Sequence, residues 1–149
     1  MALSAYAYGN FSYNLTQNNI NDLADAGTEI RCALLSDSYT PSQNIDDSWS
    51  DVSEHEIEGE GYNSGGEEIT NKSLEQIDGA TIFDGDNPEW TNTTLDARWA
   101  VFYDDTPTGD TDKKLISYVD FGEVKSTSDA TFRIEIDDDG IARILALQD

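Results

Sequence analysis

The strongest constraint on the fold is an alternation of apolar and polar side chains in the segment LDARWAVFYDD, residues 95–105. One phase of the alternation holds Ala97, Trp99, Val101 and Tyr103, and the other holds Arg98, Ala100 and Phe102. Successive side chains of a strand point to opposite faces, so this segment predicts a strand that is buried on one face and largely covered on the other. Such a strand belongs at the centre of a sheet.

Turn-forming residues separate this strand from further short strands. The loop TPTGDTD joins it to KLISYVDFG, residues 114–122, and the Pro, Gly and Asp residues of the loop favour an antiparallel hairpin. Farther along the chain, ATFRIEID and IARILALQ flank Asp138–Gly140. An Asp-Gly step between alternating apolar residues predicts a second hairpin there.

The N-terminal half carries weaker patterns. In SAYAYGNFSYNL the aromatic residues change phase across Gly9, which predicts a strand with a bulge at that glycine. TEIRCALLS predicts another strand, residues 46–52 a short helical turn, and residues 59–77 a loop followed by a strand.

Together these patterns predict an all-β fold, a single antiparallel β-sandwich or jelly-roll-like domain with little helix that spans residues 1–149. A chain of 149 residues buries roughly 70% of its unfolded surface, which is enough for one core. Residues 1–28 are predicted to form either a first strand or an assembly arm.

Charge constrains the surroundings of the protein. The chain has 31 acidic and 8 basic residues, which gives a net charge of −23. The acidic residues are spread from Asp22 to Asp149. On a folded surface of about 7,500 Å² the net charges lie roughly 18 Å apart, so their repulsion is felt at about 0.1 M salt and is mostly screened at about 1 M. This balance is typical of halophilic cytoplasm or of virions assembled in it. A calcium-loaded secreted adhesin and an acidic mesophilic protein are the alternatives.

Several classes of partner are not expected. Phosphate binding needs clustered Lys and Arg, which the sequence lacks, so nucleic acid is not a predicted partner. No run approaches 18 apolar residues, and the N-terminus has neither a basic nor an apolar signal region, so no membrane insertion and no secretory signal are predicted. The only cysteine, Cys32, lies in an alternating segment that favours a structural thiol over a nucleophile.

Asp84, Asp86 and Glu89, in the segment FDGDNPEW, have the spacing at which a calcium loop begins. An EF-hand loop requires oxygen ligands at positions 1, 3 and 5, a Gly at 6 and a Glu at 12. Counted from Asp84, position 5 is Pro88 and position 6 is Glu89, so the match ends after two ligands. We interpret the segment as a solvated loop that leads into the strand near Leu95, and no metal site is assigned.

His55, between Glu54 and Glu56, is the only histidine and the one candidate for acid–base chemistry. The sequence contains no G-x-S-x-G elbow, no phosphate-binding G-x-x-x-x-G-K-[ST] loop and no G-x-G-x-x-G fingerprint. With 31 carboxylates, some pair has a catalytic spacing in any fold, so such pairs carry no signal. The sequence predicts no enzyme, no catalytic residue and no cofactor.

Trp49, in the polar stretch DDSWSDV, is a candidate for packing beneath a loop or anchoring an interface.

Five segments carry a further pattern. They are Ser36–Pro41 (a Ser-x-Tyr-x-Pro variant), Trp49–Val52 (Trp-x-Asp-Val), Gly61–Gly66 (Gly-Tyr-x-x-Gly-Gly), Ala97–Tyr103 (Ala-Arg-aromatic-Ala-Val-aromatic-Tyr) and Tyr118–Gly122 (Tyr-Val-Asp-Phe-Gly). In this order they resemble a family of small structural proteins of tailed viruses, and the resemblance extends over about residues 29–147.

The resemblance implies a non-enzymatic virion component, and the acidic composition then indicates a tailed virus of a halophilic archaeon. The first interpretation is a homo-oligomer that decorates the capsid exterior as a turret or decoration protein, stabilising the shell or presenting a surface to the host. The expected partners are further copies of itself, the major capsid protein or other virion proteins, and the host cell surface. Its expected location is the virion, assembled in the host cytoplasm. A tail or head-tail connector component and a cation-dependent adhesion or carbohydrate-binding β-sandwich are the alternatives.

Overall fold

The computed structural model describes residues 4–145; residues 1–3 and 146–149, which include the end of the predicted strand IARILALQ, lie outside the described residues. The strands are β1 Ser4–Ala7, β2 Ile30–Leu35, β3 Glu67–Glu68, β4 Ser73–Ile77, β5 Ala80–Asp84, β6 Glu89–Asp104, β7 Leu115–Arg133 and β8 Ala142–Leu145. The helices are α1 Gly9–Thr16 and α2 Trp49–Val52, and a 3₁₀ turn, Ser53–His55, follows α2.

β6 lies at the centre of a five-stranded antiparallel sheet with the order β1-β7-β6-β2-β3, the large sheet. Two predictions are confirmed, because β6 is central and the loop after it leads into an antiparallel β7. Between Ala97 and Trp99 on β6, the facing residues on β7 change from Lys125 to Asp120. β7 therefore bulges at this point, and bulges of this kind bend a strand pair.

Both faces of the large sheet are buried along β2, along residues 100–104 of β6 and along residues 115–119 of β7. One face belongs to the main core, to which β2 and β6 contribute Ile30, Cys32, Leu34, Ala100 and Phe102. The other face carries Ala33, Leu35, Val101 and Tyr103, which are covered by Tyr39, Trp49 and Val52 of the segment 36–55. The strand predicted from residues 95–105 is thus covered on both sides, as its two apolar phases indicate.

β4, β5 and β8 form a second antiparallel sheet, the small sheet, with the order β4-β5-β8. Asp78 and Gly79 join β4 to β5 with φ angles of 50° and 83°. Positive φ at both residues is what a two-residue type I′ hairpin requires. Phe83 and Ala142 of the small sheet belong to the main core. The two sheets pack on each other, and the fold is the expected all-β sandwich with little helix.

The second hairpin predicted around Asp138–Gly140 is wrong. The residues ATFR are the end of β7, where Phe132 pairs with Trp90 of β6, and β8 pairs with β5 instead. After β7 the chain leaves the ladder, and the amide of Ile134 donates to the carbonyl oxygen of Pro88 at 3.1 Å. The residues after the Asp-Gly turn pair with β5, and this pairing places Ala142 in the main core.

The bulged strand predicted around Gly9 is also wrong, because β1 ends at Ala7 and α1 begins at Gly9. Helical spacing places Phe11 and Leu15 on one side of α1, and Phe11 is buried in the main core. The segment is poor in strong helix formers, so packing rather than propensity decides its structure. Gly9 allows a close approach, since a Cβ there would lie 2.8 Å from Asn44 Oδ1.

Candidate functional site

The structure directs Asp84, Asp86 and Glu89 to three different partners. Asp84 Oδ1 accepts from the amide of Gly85 at 2.8 Å, and Asp86 Oδ2 accepts from Asn71 Nδ2 at 2.6 Å. Glu89 Oε2 lies 3.9 Å from the Nε of an arginine on β7. Within residues 4–145 there is no group of three or more His, Cys, Asp or Glu residues that could hold a metal ion.

His55 lies beside two serines that the sequence did not connect with it. Ser38 Oγ is 2.8 Å from His55 Nδ1, and Ser36 Oγ is 2.7 Å from Ser38 Oγ. Glu54 Oε1 lies 3.6 Å from His55 Nε2, but the Glu54 side chain is 80% exposed. A hydroxyl beside an imidazole is the first element of a nucleophile–base pair. Catalysis at His55 remains a hypothesis, and its test is a turnover that is lost in His55→Ala.

Glu56 forms hydrogen bonds with the glycine-rich segment 61–66 and holds it in place. Its Oε2 accepts hydrogen bonds from the Tyr62 hydroxyl at 2.6 Å and from the Gly65 amide at 2.7 Å. Burial raises the pKa of the Glu56 carboxyl, and the two hydrogen bonds offset part of this rise. The Tyr103 hydroxyl donates to the carbonyl oxygen of Gly65 at 2.7 Å. The Gly-Tyr-x-x-Gly-Gly motif therefore has a structural role here.

Cys32 and Trp49 have structural positions as well. Cys32 is fully buried in β2, and burial raises the pKa of its thiol, which disfavours the reactive thiolate. Trp49 is 7% exposed, and its side chain belongs to the apolar cluster between the segment 36–55 and the large sheet. Of the two roles predicted for Trp49, the structure shows packing beneath a loop.

Each of the eight basic side chains has an acidic or carbonyl partner. Seven form ion pairs: Arg31, Arg98, Lys113, Lys114, Lys125, Arg133 and Arg143. The ammonium of Lys72 donates to the carbonyl oxygens of Asp25 and Thr28. The surface therefore presents an excess of carboxylates, and the described part of the chain shows no cluster of unpartnered cations.

An apolar hollow of about 260 Å³ lies between α1 and the small sheet. Its apolar lining includes Phe11, Leu15, Ile20, Leu23, Leu74 and Phe83. Asn18, Asn21 and Asp22 also line it. An apolar cavity of about 150 Å³ takes up benzene. The hollow thus has room for one apolar side chain or ring.

The other side of the small sheet, which we call the outer face, carries exposed aliphatic and charged side chains. Phe83 and Ala142 point into the core, so alternation places the neighbouring residues of each strand on the opposite side. The outer face comprises Ser73, Glu75, Ile77, Ala80, Ile82, Asp84, Arg143 and Leu145.

Strand register arranges most of the outer face in two rows that cross the sheet, and the pair Ser73 and Asp84 lies beyond the first row. The first row is Glu75, Ile82 and Arg143, and the second is Ile77, Ala80 and Leu145. Ile77 and Leu145 are 47% and 51% exposed. In each row the most exposed side chains therefore belong to β4 and β8, and the residue of β5 lies between them.

Within residues 4–145, no helix has the length and apolar character needed to cross a membrane. A scan against protein-family models and searches of curated proteins and of solved structures find no match to this chain. The resemblance to structural proteins of tailed viruses therefore stays a prediction.

Proposed function

We propose that this protein is a non-enzymatic structural component of a tailed-virus particle, which decorates the capsid exterior as a homo-oligomer. The observation that carries the proposal is the exposure of aliphatic side chains on one small sheet of a strongly acidic molecule. Of the eight large apolar side chains that are exposed in the described residues, four lie on this sheet: Leu74, Ile77, Ile144 and Leu145. Leu74 and Ile144 border the hollow, whereas Ile77 and Leu145 lie on the outer face, so each face of the small sheet carries two of them. Exposed apolar patches mark interaction sites in soluble proteins.

The architecture supports an assembly role. Because β2 and the adjoining parts of β6 and β7 are buried on both faces, the small sheet is presented on a preformed scaffold. Preformed surfaces bind with little change in the backbone. A particle built from many symmetric copies adds avidity, so each contact between copies can be weak.

The charge distribution supports an exterior position. The net charge is −23, and the basic side chains already have acidic or carbonyl partners. Such a surface repels packaged nucleic acid, whose phosphates require Lys and Arg for binding. Concentrated salt outside the particle screens the repulsion between neighbouring copies.

Imaging of the particles whose genome encodes this chain tests the proposal. We expect symmetric density for the protein on capsid vertices or hexamers, and gold-labelled antibodies against the protein should bind the capsid of intact particles. Labelling confined to the tail would replace decoration by the tail or connector role. Particles that contain none of the protein would overturn the proposal.

A further inference from the structure

We propose that the outer face of the small sheet binds the same face of a second copy, forming a dimer with twofold symmetry. This deepens the homo-oligomer of the proposed function by naming its contact surface, and it rests on that part of the proposal alone. The register and the charges of the outer face support the dimer wherever in a particle the protein lies.

The geometry follows from the order β4-β5-β8. When two outer faces meet about a twofold axis parallel to β5, β4 of one copy lies over β8 of the other. In the first row, Glu75 then faces Arg143 of the second copy, and Arg143 faces Glu75 of the second copy. Ile82 faces its own counterpart. Asp84, at the end of β5, faces its own counterpart as well, and concentrated salt screens this repulsion between like charges. The row is thus self-complementary in charge, as an isologous interface requires.

The second row is complementary in shape and polarity. The same axis places Ile77 opposite Leu145 of the second copy, and Leu145 opposite Ile77 of the second copy. Both side chains are about half exposed in the single chain. Face-to-face sheets pack about 10 Å apart, a distance at which side chains from the two faces interdigitate. Dimerisation would therefore bury aliphatic surface that the monomer leaves in water.

The charged groups of the first row are available for a new partner. Arg143 Nε lies 3.8 Å from Asp139 Oδ1, and both side chains are substantially exposed, at 43% and 70%. Exposed pairs of this kind contribute little to stability, so the guanidinium can exchange partners at small cost. Glu75 is itself exposed on β4.

The size of the contact sets its strength. Three strands about 4.8 Å apart and five residues long cover roughly 240 Å², whereas a stable complex buries about 800 Å² per partner. The isolated dimer is therefore weak, and it gains strength when many copies are arranged together. Its association should increase with salt, because two molecules of charge −23 repel each other in dilute buffer.

Charge-reversal variants distinguish the contact between Glu75 and Arg143 of the second copy from a general effect of net charge on association. Sedimentation equilibrium is measured with up to about 1 mM protein, in about 2 M KCl. Glu75→Arg changes the net charge from −23 to −21, which by itself favours association. We expect association to weaken at least about tenfold instead, because Arg then faces Arg143 of the second copy. Arg143→Glu should weaken it as well, and the double variant should restore it to within about threefold.

Two matched controls complete the experiment. Glu58→Arg changes the net charge equally at an exposed position outside the small sheet, and it should not weaken association. Ile77→Gln should weaken association, whereas Leu74→Gln, on the same strand but facing the hollow, should not. Circular dichroism verifies that each variant is folded.

A wild-type protein that stays monomeric over the whole concentration range, or a double variant as weak as the single ones, overturns the dimer. These outcomes are independent of the particle experiment. Capsid labelling together with a monomeric protein rejects the dimer alone. A dimer together with unlabelled particles rejects the virion function alone.

Discussion

The indole of Trp49 stacks on the ring of Tyr103, with the ring centroids 4.4 Å apart and the planes 10° from parallel. Trp49 begins α2, and Tyr103 lies near the end of β6. The contact therefore holds the segment 36–55 on the large sheet. Since the Tyr103 hydroxyl also donates to the carbonyl oxygen of Gly65, one tyrosine of the central strand connects two separate segments to the sheet.

Replacing Trp49 by Ala should lower the free energy of unfolding by about 3–5 kcal/mol, because a buried aromatic side chain is removed and a cavity is left. Trp49→Phe keeps a ring on Tyr103 and should cost clearly less. The measurement is urea unfolding followed by circular dichroism in concentrated KCl. A loss below about 1 kcal/mol in Trp49→Ala would show that other contacts hold the segment 36–55.

Gly66 and Gly65 should respond differently to Ala. Both have positive φ, 84° and 93°, a region that costs an L-residue about 1–2 kcal/mol. A Cβ on Gly66 would also clash with the carbonyl oxygen of Cys32, whereas the nearest atom to a Cβ on Gly65 is the Tyr103 hydroxyl at 3.4 Å. Urea unfolding should show a larger loss of stability in Gly66→Ala than in Gly65→Ala. Equal losses would contradict the close approach of Gly66 to β2.

Salt should stabilise the folded protein. The melting temperature is expected to rise strongly between about 0.1 M and 2 M KCl, because screening reduces the repulsion among carboxylates. The ion pairs are screened too, but exposed pairs contribute little. At a pH where the carboxyl groups are protonated the response should shrink, which provides the control. A melting temperature independent of KCl would contradict the interpretation of the acidic surface.

Asp47 should contribute a component of stability that depends on pH. Its oxygens accept from Lys114 Nζ and from Asn14 Nδ2, each at 2.7 Å. Burial opposes ionisation of Asp47, but these hydrogen bonds outweigh it and lower the pKa of the carboxyl. A lowered pKa stabilises the fold above the unfolded value of about 3.9, and this stability is lost as the pH falls through the folded value.

The urea midpoint of the wild type should therefore fall more between about pH 6 and pH 3 than that of Asp47→Asn. Comparing the two proteins removes the pH dependence of the other carboxylates, which both share. An identical change in the two midpoints would show that Asp47 ionises alike in the folded and unfolded chains.

Strand prediction was correct where the local pattern was strong. Both phases of β6 are apolar, so its central position follows from the composition of one segment. The errors concern partners and weak segments. The helix α1 depends on the burial of Phe11 in the core, and the pairing of β8 with β5 places Ala142 in the same core. Neither property is contained in a short window of sequence.

In the candidate sites, too, the sequence indicates single residues but not their long-range contacts. The sequence indicated Asp84, Asp86, Glu89 and His55 as residues to consider, but it could not show that the three carboxylates have separate partners. Ser38 is 17 residues from His55, and no local pattern connects the two. The sequence does not predict the outer face, because this face is defined by the pairing between strands rather than by any single strand.

The all-β class, the central strand and the acidic surface follow from alternation and composition, which are properties of neighbouring residues or of the whole chain. Glu75 and Arg143 are far apart in the chain, and they share a row on either side of Ile82 only because β4 and β8 both pair with β5 in the folded molecule. Strand order and register result from long-range packing, because many pairings satisfy the same local pattern and the core selects one of them.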